Sequence, residues 1–414
     1  MSLSRLTPLL RPLRHPSSSF LIRSSRRLVG SSFNLNNPSN FRHILPLQRI
    51  HGESNPYKCV DHCRFTSTVT APLKHDYRNI SFYQFASLPA DILPSLRLQM
   101  LSDLESMGVV GRIYIAEEGI NAQISCPTLA VEKLREYCDG ALAKYFDNLV
   151  FNYATSHEKA FKKLHVRVRH QVVADGLAQG SYDIKKQPIY LNPEQWHKEI
   201  KSSHEKGRKP ILIDMRNQYE SDIGHFEGAI RPKVATFRDG IKAMEEICKG
   251  KEGEEIYMYC TGGIRCSKAG AILRSKGFEN VRMLRGGITA YGNYVRSQPG
   301  LQSLYHGKNF TFDKRLGEPI TDEVLGRCYS CGAPCDVMSN CRNAACNLLF
   351  VQCDACKQRL SHTCGEKWCL EVVQDELGEK LEDGRVNPGV PCFRDYPDRV
   401  LPERKTEMTA AVIE

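Results

Sequence analysis

The sequence predicts a multidomain α/β chain, and three observations carry that prediction. Between Asn79 and Tyr153 the hydrophobic pattern runs strand, helix, strand, strand, helix, strand. From Pro188 onward, short continuous apolar runs alternate with segments of helical spacing. Ten of the 17 cysteines fall between Cys328 and Cys392. A split βαβ domain, a parallel sheet covered by helices on both faces, and a small Cys-rich tail account for the three.

The bulk properties bound the answer before any motif is used. A chain of 414 residues has room for two to four domains at roughly 100–200 residues each. Its 41% hydrophobic and 25% charged fractions are those of ordinary globular proteins and argue against wholesale disorder. No apolar run approaches the ~18–20 residues that cross a bilayer, so a soluble chain with no membrane partner is expected. The net charge of +10 is unevenly spread: +8 over residues 1–52, −2 over 75–184, +8 over 185–310 and −5 over 311–414.

Residues 1–52 contain 8 Arg, 10 Ser and no acidic residue. That composition is characteristic of organelle transit peptides; a basic nucleic-acid-binding arm is the alternative. Maturation near Arg64–Thr68 would make residues 1–65 a disordered, removable leader. Arg5, Arg11 and Arg14 favour the mitochondrial matrix, whereas the serine content keeps the chloroplast stroma open.

After the leader, Asn79–Ser87 alternates as a strand and Pro94–Met107 has helical spacing that ends at Gly108. Val109–Ala116 and Ile120–Ser125 flank Glu117-Glu118-Gly119 as two strands. A helix over Thr128–Tyr137 and a strand over Leu149–Tyr153 complete a ferredoxin-like, acylphosphatase-like domain spanning about 75–180. A basic run follows, with Lys159, Lys162, Lys163, Arg167 and Arg169. Alternation of Leu164, Val166 and Val168 allows one strand to display these cations on one face, as an RNA-backbone contact or simply as a solvated face.

In the next domain, about 188–305, Pro210–Ile213 reads as a buried parallel strand, Ile241–Cys248 as a helix, Glu255–Tyr259 as a strand, Ser267–Ser275 as a helix and Val281–Leu284 as a strand. The Glu255–Tyr259 strand runs directly into Cys260-Thr261-Gly262-Gly263-Ile264-Arg265-Cys266. A cysteine between a strand end and a helix N-terminus faces backbone N–H groups and the positive end of the helix dipole, which favour the nucleophilic thiolate. Two glycines let the loop amides converge into an anion nest, and Arg265 adds positive charge. Only four residues separate Cys260 from Arg265. The cradle is therefore smaller than the Cys-x5-Arg phosphatase loop and suits a persulfide sulfur better than phosphate. Cys266 reads either as a resolving thiol with a helix-stabilised thiolate or as a packing cysteine.

These residues resemble the rhodanese family over about 188–300. The resemblance rests on Ile213–Glu220, on Gly224-His225-Phe226-Glu227-Gly228-Ala229, on the Cys260–Arg265 loop and on Leu284-Arg285-Gly286-Gly287-Ile288. It implies a persulfide-forming Cys260, a cradle of amides from Thr261, Gly262, Gly263, Ile264 and Arg265, and supporting roles for Asp214 and Arg216. His225 reads as a structural histidine rather than a general base. Ala116–Ala122, Phe161-Lys162-Lys163-Leu164, the loop and the Cys-rich tail, in that order, are similar to the rhodanese-containing tRNA uridine hydroxylases. That similarity implies oxygen-dependent 5-hydroxylation of the wobble uridine, with tRNA as partner and molecular oxygen as co-substrate. A sulfurtransferase, moving sulfur between a donor and an acceptor thiol through a Cys260 persulfide, is the alternative.

The tail, about 320–375, places Cys328 and Cys331 in one Cys-x2-Cys pair and Cys353 and Cys356 in another, a spacing that suits a tetrathiolate zinc site. Cys341, Cys346, Cys364 and Cys369 form the best second set, with Cys335 or His362 as substitutes. Few aliphatic residues are available to this segment, so structural zinc would supply folding energy. Residues 376–414 read as an acidic, irregular extension.

Overall fold

The computed structural model describes residues 76–378. The expected leader lies outside the described residues, as does residue 379 onward of the expected extension. Residues 376–378 are helical rather than irregular.

The amino-terminal domain comprises β1 (Tyr77–Phe85), α1 (Leu93–Ser106), β2 (Val110–Ala116), β3 (Gly119–Pro127), α2 (Val131–Asp139), β4 (Asn152–Tyr153) and β5 (Leu164–Val168). The first four strands form an antiparallel sheet in the order β4-β1-β3-β2, and β5 extends it, parallel to β2. Alternation along each strand sorts the side chains. Ile80, Phe82, Ile113, Ile115, Ile120 and Ile124 enter the core with Leu96, Met100 and Leu104, which stack at successive turns of α1. The opposite parity builds two polar rows across the helix-free face. Tyr83, Asn121, Tyr114 and Arg167 are in register in one row, and Ser81, Gln123, Arg112 and His165 in the other. The strand expected over Leu149–Tyr153 is only Asn152–Tyr153, because Leu149 and Phe151 are drawn into the core instead.

The second domain comprises β6 (Ile189–Leu191), α3 (Pro193–Glu205), β7 (Ile211–Asp214), α4 (Gln218–Ser221), β8 (Gly224–Phe226), α5 (Phe237–Cys248), β9 (Ile256–Tyr259), α6 (Ile264–Ser275), β10 (Val281–Leu284) and α7 (Gly287–Ser297). Its parallel sheet runs β6-β10-β9-β7. Ile241, Met244, Ile272 and Leu273 of α5 and α6 pack in one hydrophobic layer, and Trp196, Ile200 and Tyr291 of α3 and α7 in another. Both faces of the sheet are thus covered, and β9, which feeds the Cys260 loop, is fully buried. A small sheet of β11 (Tyr305–Asn309) between β12 (Glu318–Pro319) and β8 follows. The tail has β13 (Met338–Asn340) and β14 (Leu349–Val351) as a hairpin, then α8 (Asp354–Arg359) and α9 (Lys367–Gly378).

A buried charge joins the first two domains. Lys268 of α6, fully buried, places its ammonium 2.9 Å from Glu118 in the β2–β3 turn, 3.0 Å from Asp175 and 2.8 Å from the Val173 carbonyl. This contact holds the polar rows of the amino-terminal sheet against the loop that carries Cys260. Among the described residues no helix is long and apolar enough to cross a membrane.

Candidate active site

The Cys260 loop is fixed from two sides. Cys260 and Thr261 offer their carbonyls to the Ile288 and Thr289 amides at the start of α7, at 3.0 and 3.1 Å. Gly287 sits at φ 63°, and a Cβ there would run into those same two carbonyls. Gly263, at φ 105°, turns the chain into α6, which starts at Ile264, three residues before the helix expected from periodicity.

Within the loop, the Gly263 N–H donates to Cys260 Sγ at 3.1 Å. Burial by itself pushes the pKa of this thiol up. The Cys266 thiol, the Arg265 charge and the amides of Cys266 and Gly263 outweigh burial and bring the pKa down to about 6. Cys260 is therefore mostly thiolate at neutral pH. Cys266 behaves in the opposite way: burial, and then the adjacent Cys260 sulfur, push its pKa well above the ordinary thiol value. The helix-stabilised thiolate expected at Cys266 is corrected on this point; Cys266 stays protonated and serves Cys260 as a donor.

Arg265 places Nη1 and Nη2 at 2.6 and 2.8 Å from the carboxylate of Glu220, which is fully buried, and Nη2 also reaches Thr261 Oγ1 at 3.2 Å. The Thr261 side chain is thereby turned to this pair, and the loop amides that reach the sulfur are those of Gly263 and Cys266. Asp214 and Arg216 form a separate, fully buried pair at 2.6 Å, whose guanidinium also donates to the Gly224 carbonyl at 2.6 Å. They brace the β7–β8 connection and do not line the cavity. His225 lies on β8 opposite His306, with Nδ1 3.2 Å from the Phe226 carbonyl.

A cavity of about 600 Å3 opens between the loop and the helix-free face of the amino-terminal sheet. Cys260, Thr261, Gly262, Ile264 and Arg265 form one wall; Tyr83, Arg112, Tyr114, Asn121 and Gln123 form the other. Three guanidiniums lie over aromatic rings along it. Arg112 sits over Phe161 at 5.4 Å, Arg169 over Tyr114 at 5.3 Å and Arg265 over Phe312 at 5.6 Å. Arg315 and Glu318, just before and at β12, close the far side. Tyr83 also lines a second cavity of about 690 Å3, and its hydroxyl is 2.9 Å from Ser267 Oγ.

Of the five cations expected on one strand, only Arg169 lines the Cys260 cavity. Lys159, Lys162 and Lys163 precede β5, with Lys159 over the Tyr77 ring at 5.3 Å, and Arg167 is exposed on the strand. The single-strand display is corrected accordingly: β5 covers only Leu164–Val168. Arg112, Tyr114, Phe161, Phe312, Arg315, Glu318 and Glu220 were not foreseen as site residues. For Arg112 and Tyr114 the available signal was the polar alternation of β2 between buried isoleucines, whereas Phe161 and Glu220 stood inside quoted motifs.

The tail brings its cysteines together in two sets. Cys328, Cys331, Cys353 and Cys356 converge in one, and Cys341, Cys346, Cys364 and Cys369 in the other, with all four sulfurs of each set within 4.8 Å of one another. Along the chain the pairs alternate between sets. Four converging sulfurs, all free thiols, suit a tetrahedral soft-metal site, and each set can hold one metal ion. Cys335 and His362 lie outside both sets. The Cys335 sulfur accepts from the Val337 amide at 3.5 Å, and His362 occupies a turn at φ 62°.

Comparison with known proteins identifies the modules. Residues 77–172 match the UPF0176 acylphosphatase like domain, 195–294 the rhodanese-like domain and 306–370 the rhodanase C-terminal region. The tRNA uridine(34) hydroxylase of Leptospira interrogans is 38% identical over 345 residues, covering 83% of this chain and 88% of that one. Its counterpart in Photorhabdus laumondii is 42% identical over 320 residues, covering 76% and 87%. The solution structure of a rhodanese-like domain from Anabaena is 24% identical, with a TM-score of 0.21, covering 28% of this chain and 87% of that one.

Proposed function

The chain belongs to the tRNA uridine(34) hydroxylase family, and we infer that it hydroxylates the wobble uridine of tRNA at C5 within the Cys260 cavity. The observation that carries this reading is the pairing of a thiolate with a wall of aromatic, guanidinium and carboxamide groups. RNA bases are taken up when unstacked from a loop, by stacking on aromatic or guanidinium planes and by hydrogen bonds to their edges. The wall offers both.

In this reading Cys260 acts as the nucleophile. Addition of its sulfur to C6 of the uracil moves the C5=C6 electron pair onto C5, the atom that takes oxygen. Gly263 and Cys266 hold the sulfur as thiolate for that attack. Arg112 and Arg169 orient the nucleotide, while exposed Lys162, Lys163 and Arg167 and half-buried Lys159 add charge for the phosphate backbone. Molecular oxygen is the co-substrate that this reading requires: one atom goes to C5, the other leaves as water with two electrons and two protons from a thiol reductant, and loss of the C5 proton with expulsion of the Cys260 thiolate restores the C5=C6 bond. The two thiol sets hold zinc, which supplies folding energy rather than chemistry. The Arg- and Ser-rich residues 1–65 direct the chain to the mitochondrial matrix, with the chloroplast stroma as the alternative.

The test is nucleoside mass spectrometry of tRNA from cells lacking the protein, separated by organelle. Loss of wobble 5-hydroxyuridine, restored by the wild-type chain and not by Cys260→Ser, is expected. Unchanged wobble nucleosides in the null line would overturn the reading.

A further inference from the structure

On the far side of the Cys260 cavity, Glu318 and Arg315 each keep a buried polar atom that has no partner among the described residues. Glu318, 5% exposed, lines the cavity. Its Oε1 accepts from the Thr155 amide at 2.9 Å, from the Thr155 hydroxyl and from Arg296 Nη2 at 3.4 Å. Its Oε2 is buried without a partner among the described residues. Arg315, on the same side of the cavity, spends Nε and Nη2 on Asp313 at 2.8 and 2.5 Å and leaves Nη1 buried and unpartnered.

One buried acceptor and one buried donor left unmade are costly, and they indicate what would satisfy them. The ligand must present a donor and an acceptor on adjacent atoms. The pairing edge of uracil does so, with N3–H beside the O4 and O2 carbonyls. Cytosine presents an unprotonated N3 at the same position, which would meet the Glu318 carboxylate lone pair to lone pair. The terminal torsion of a glutamate is soft and two-fold, so the carboxylate can turn to a ligand without leaving its Oε1 anchors.

We propose that Glu318 is the specificity-determining residue of this site, accepting the N3–H of the target uracil while Arg315 donates to a flanking carbonyl. The assignment rests on the uridine reading of the cavity given above. It explains why a carboxylate anchored by three donors on one oxygen carries none on the other. The uracil N3–H completes it.

The experiment measures binding rather than turnover, so that absence of hydroxylation counts against the previous section and not against Glu318. Anticodon stem-loop RNAs carrying uridine, cytidine or N3-methyluridine at position 34 are titrated against full-length Cys260→Ser protein and the Cys260→Ser/Glu318→Gln double variant. The single variant is expected to prefer uridine by about 10- to 100-fold over both analogues, and the added E318Q to collapse that preference towards one. Arg296→Met removes an Oε1 contact without touching Oε2 and is expected to keep the preference. Preference retained in the E318Q variant, N3-methyluridine bound as tightly as uridine, or preference lost equally with R296M would each overturn the assignment.

Discussion

Glu220 neutralises Arg265 across the floor of the Cys260 loop, with both guanidinium Nη atoms held by its two carboxylate oxygens at 2.6 and 2.8 Å. The arginine that lowers the thiol's pKa is thus clamped in place by the neighbouring α4, and its charge reaches the sulfur from a fixed direction. Catalytic readiness in this loop is a property of the Cys260–Arg265–Glu220 set.

The thiolate makes reactivity depend on pH with a definite sign. A pKa of about 6 means that Cys260 loses its charge as pH falls through that value. Alkylation of the Cys260 peptide by iodoacetamide, followed by mass spectrometry, is expected to show a midpoint near pH 6. Arg265→Met removes a favourable charge and is expected to move the midpoint upward; a wild-type midpoint above pH 8 would contradict this electrostatic account.

Cys266 is expected to act through its hydrogen, not through disulfide exchange. Cys266→Ser keeps a donor beside Cys260 and should retain most activity and the acid limb of the pH profile. Cys266→Ala removes the donor, so the limb should shift upward. Equal profiles for the two variants would show that the donor does not matter.

Lys268, itself fully buried, binds two carboxylates from outside its own helix, buried Asp175 and partly exposed Glu118. Lys268→Met leaves Glu118 and Asp175 without their cation and is expected to destabilise the protein by about 3–5 kcal/mol. Urea unfolding should show it, and susceptibility to proteolysis between residues 169 and 188 should rise alongside. Unaltered unfolding would show that the two domains are held by other contacts.

The cavity wall separates binding from chemistry. Arg169→Ala should raise KM for tRNA several-fold, flatten its salt dependence by about one unit of log–log slope and leave kcat nearly unchanged. Tyr114→Ala should raise KM with little change in that slope, since stacking carries no net charge. A fall in kcat alone for either variant would place these residues in the reaction rather than in substrate capture.

Metal content tests the tail. Two zinc ions per chain are expected by elemental analysis, and Cys353→Ser should lower both occupancies, because α8 and the β13–β14 hairpin link the sets. A chain that releases one ion and holds the other tightly would make the sites independent.

Local chemistry was legible in the sequence wherever neighbours along the chain make the site. The Cys260 loop is one strand end, two glycines and a helix start, and the cysteine pairs carry their own spacing. What escaped notice depends on pairing across a sheet. Arg112 and Tyr114 join a wall only because β2 lies beside β3 and β5 in a particular register, and β5 itself is too short to announce that register. Glu220 was visible only as part of a motif, since its partner lies 45 residues away. Strands β6, β8 and β11, three to five residues each, owe their form to neighbours more than to their own sequences.

The alternation of the cysteine pairs also sets a problem of timing. As the chain emerges during synthesis, Cys328, Cys331, Cys341 and Cys346 are available together before Cys353 exists. Four thiols are then within reach of one ion in a combination that belongs to neither final site. An ion captured there must be surrendered before the correct partners close. The β13–β14 hairpin carries Cys341 and Cys346 in its connection, in a set apart from Cys328 and Cys331. Both strands of that hairpin are in the chain before either set of four thiols is complete.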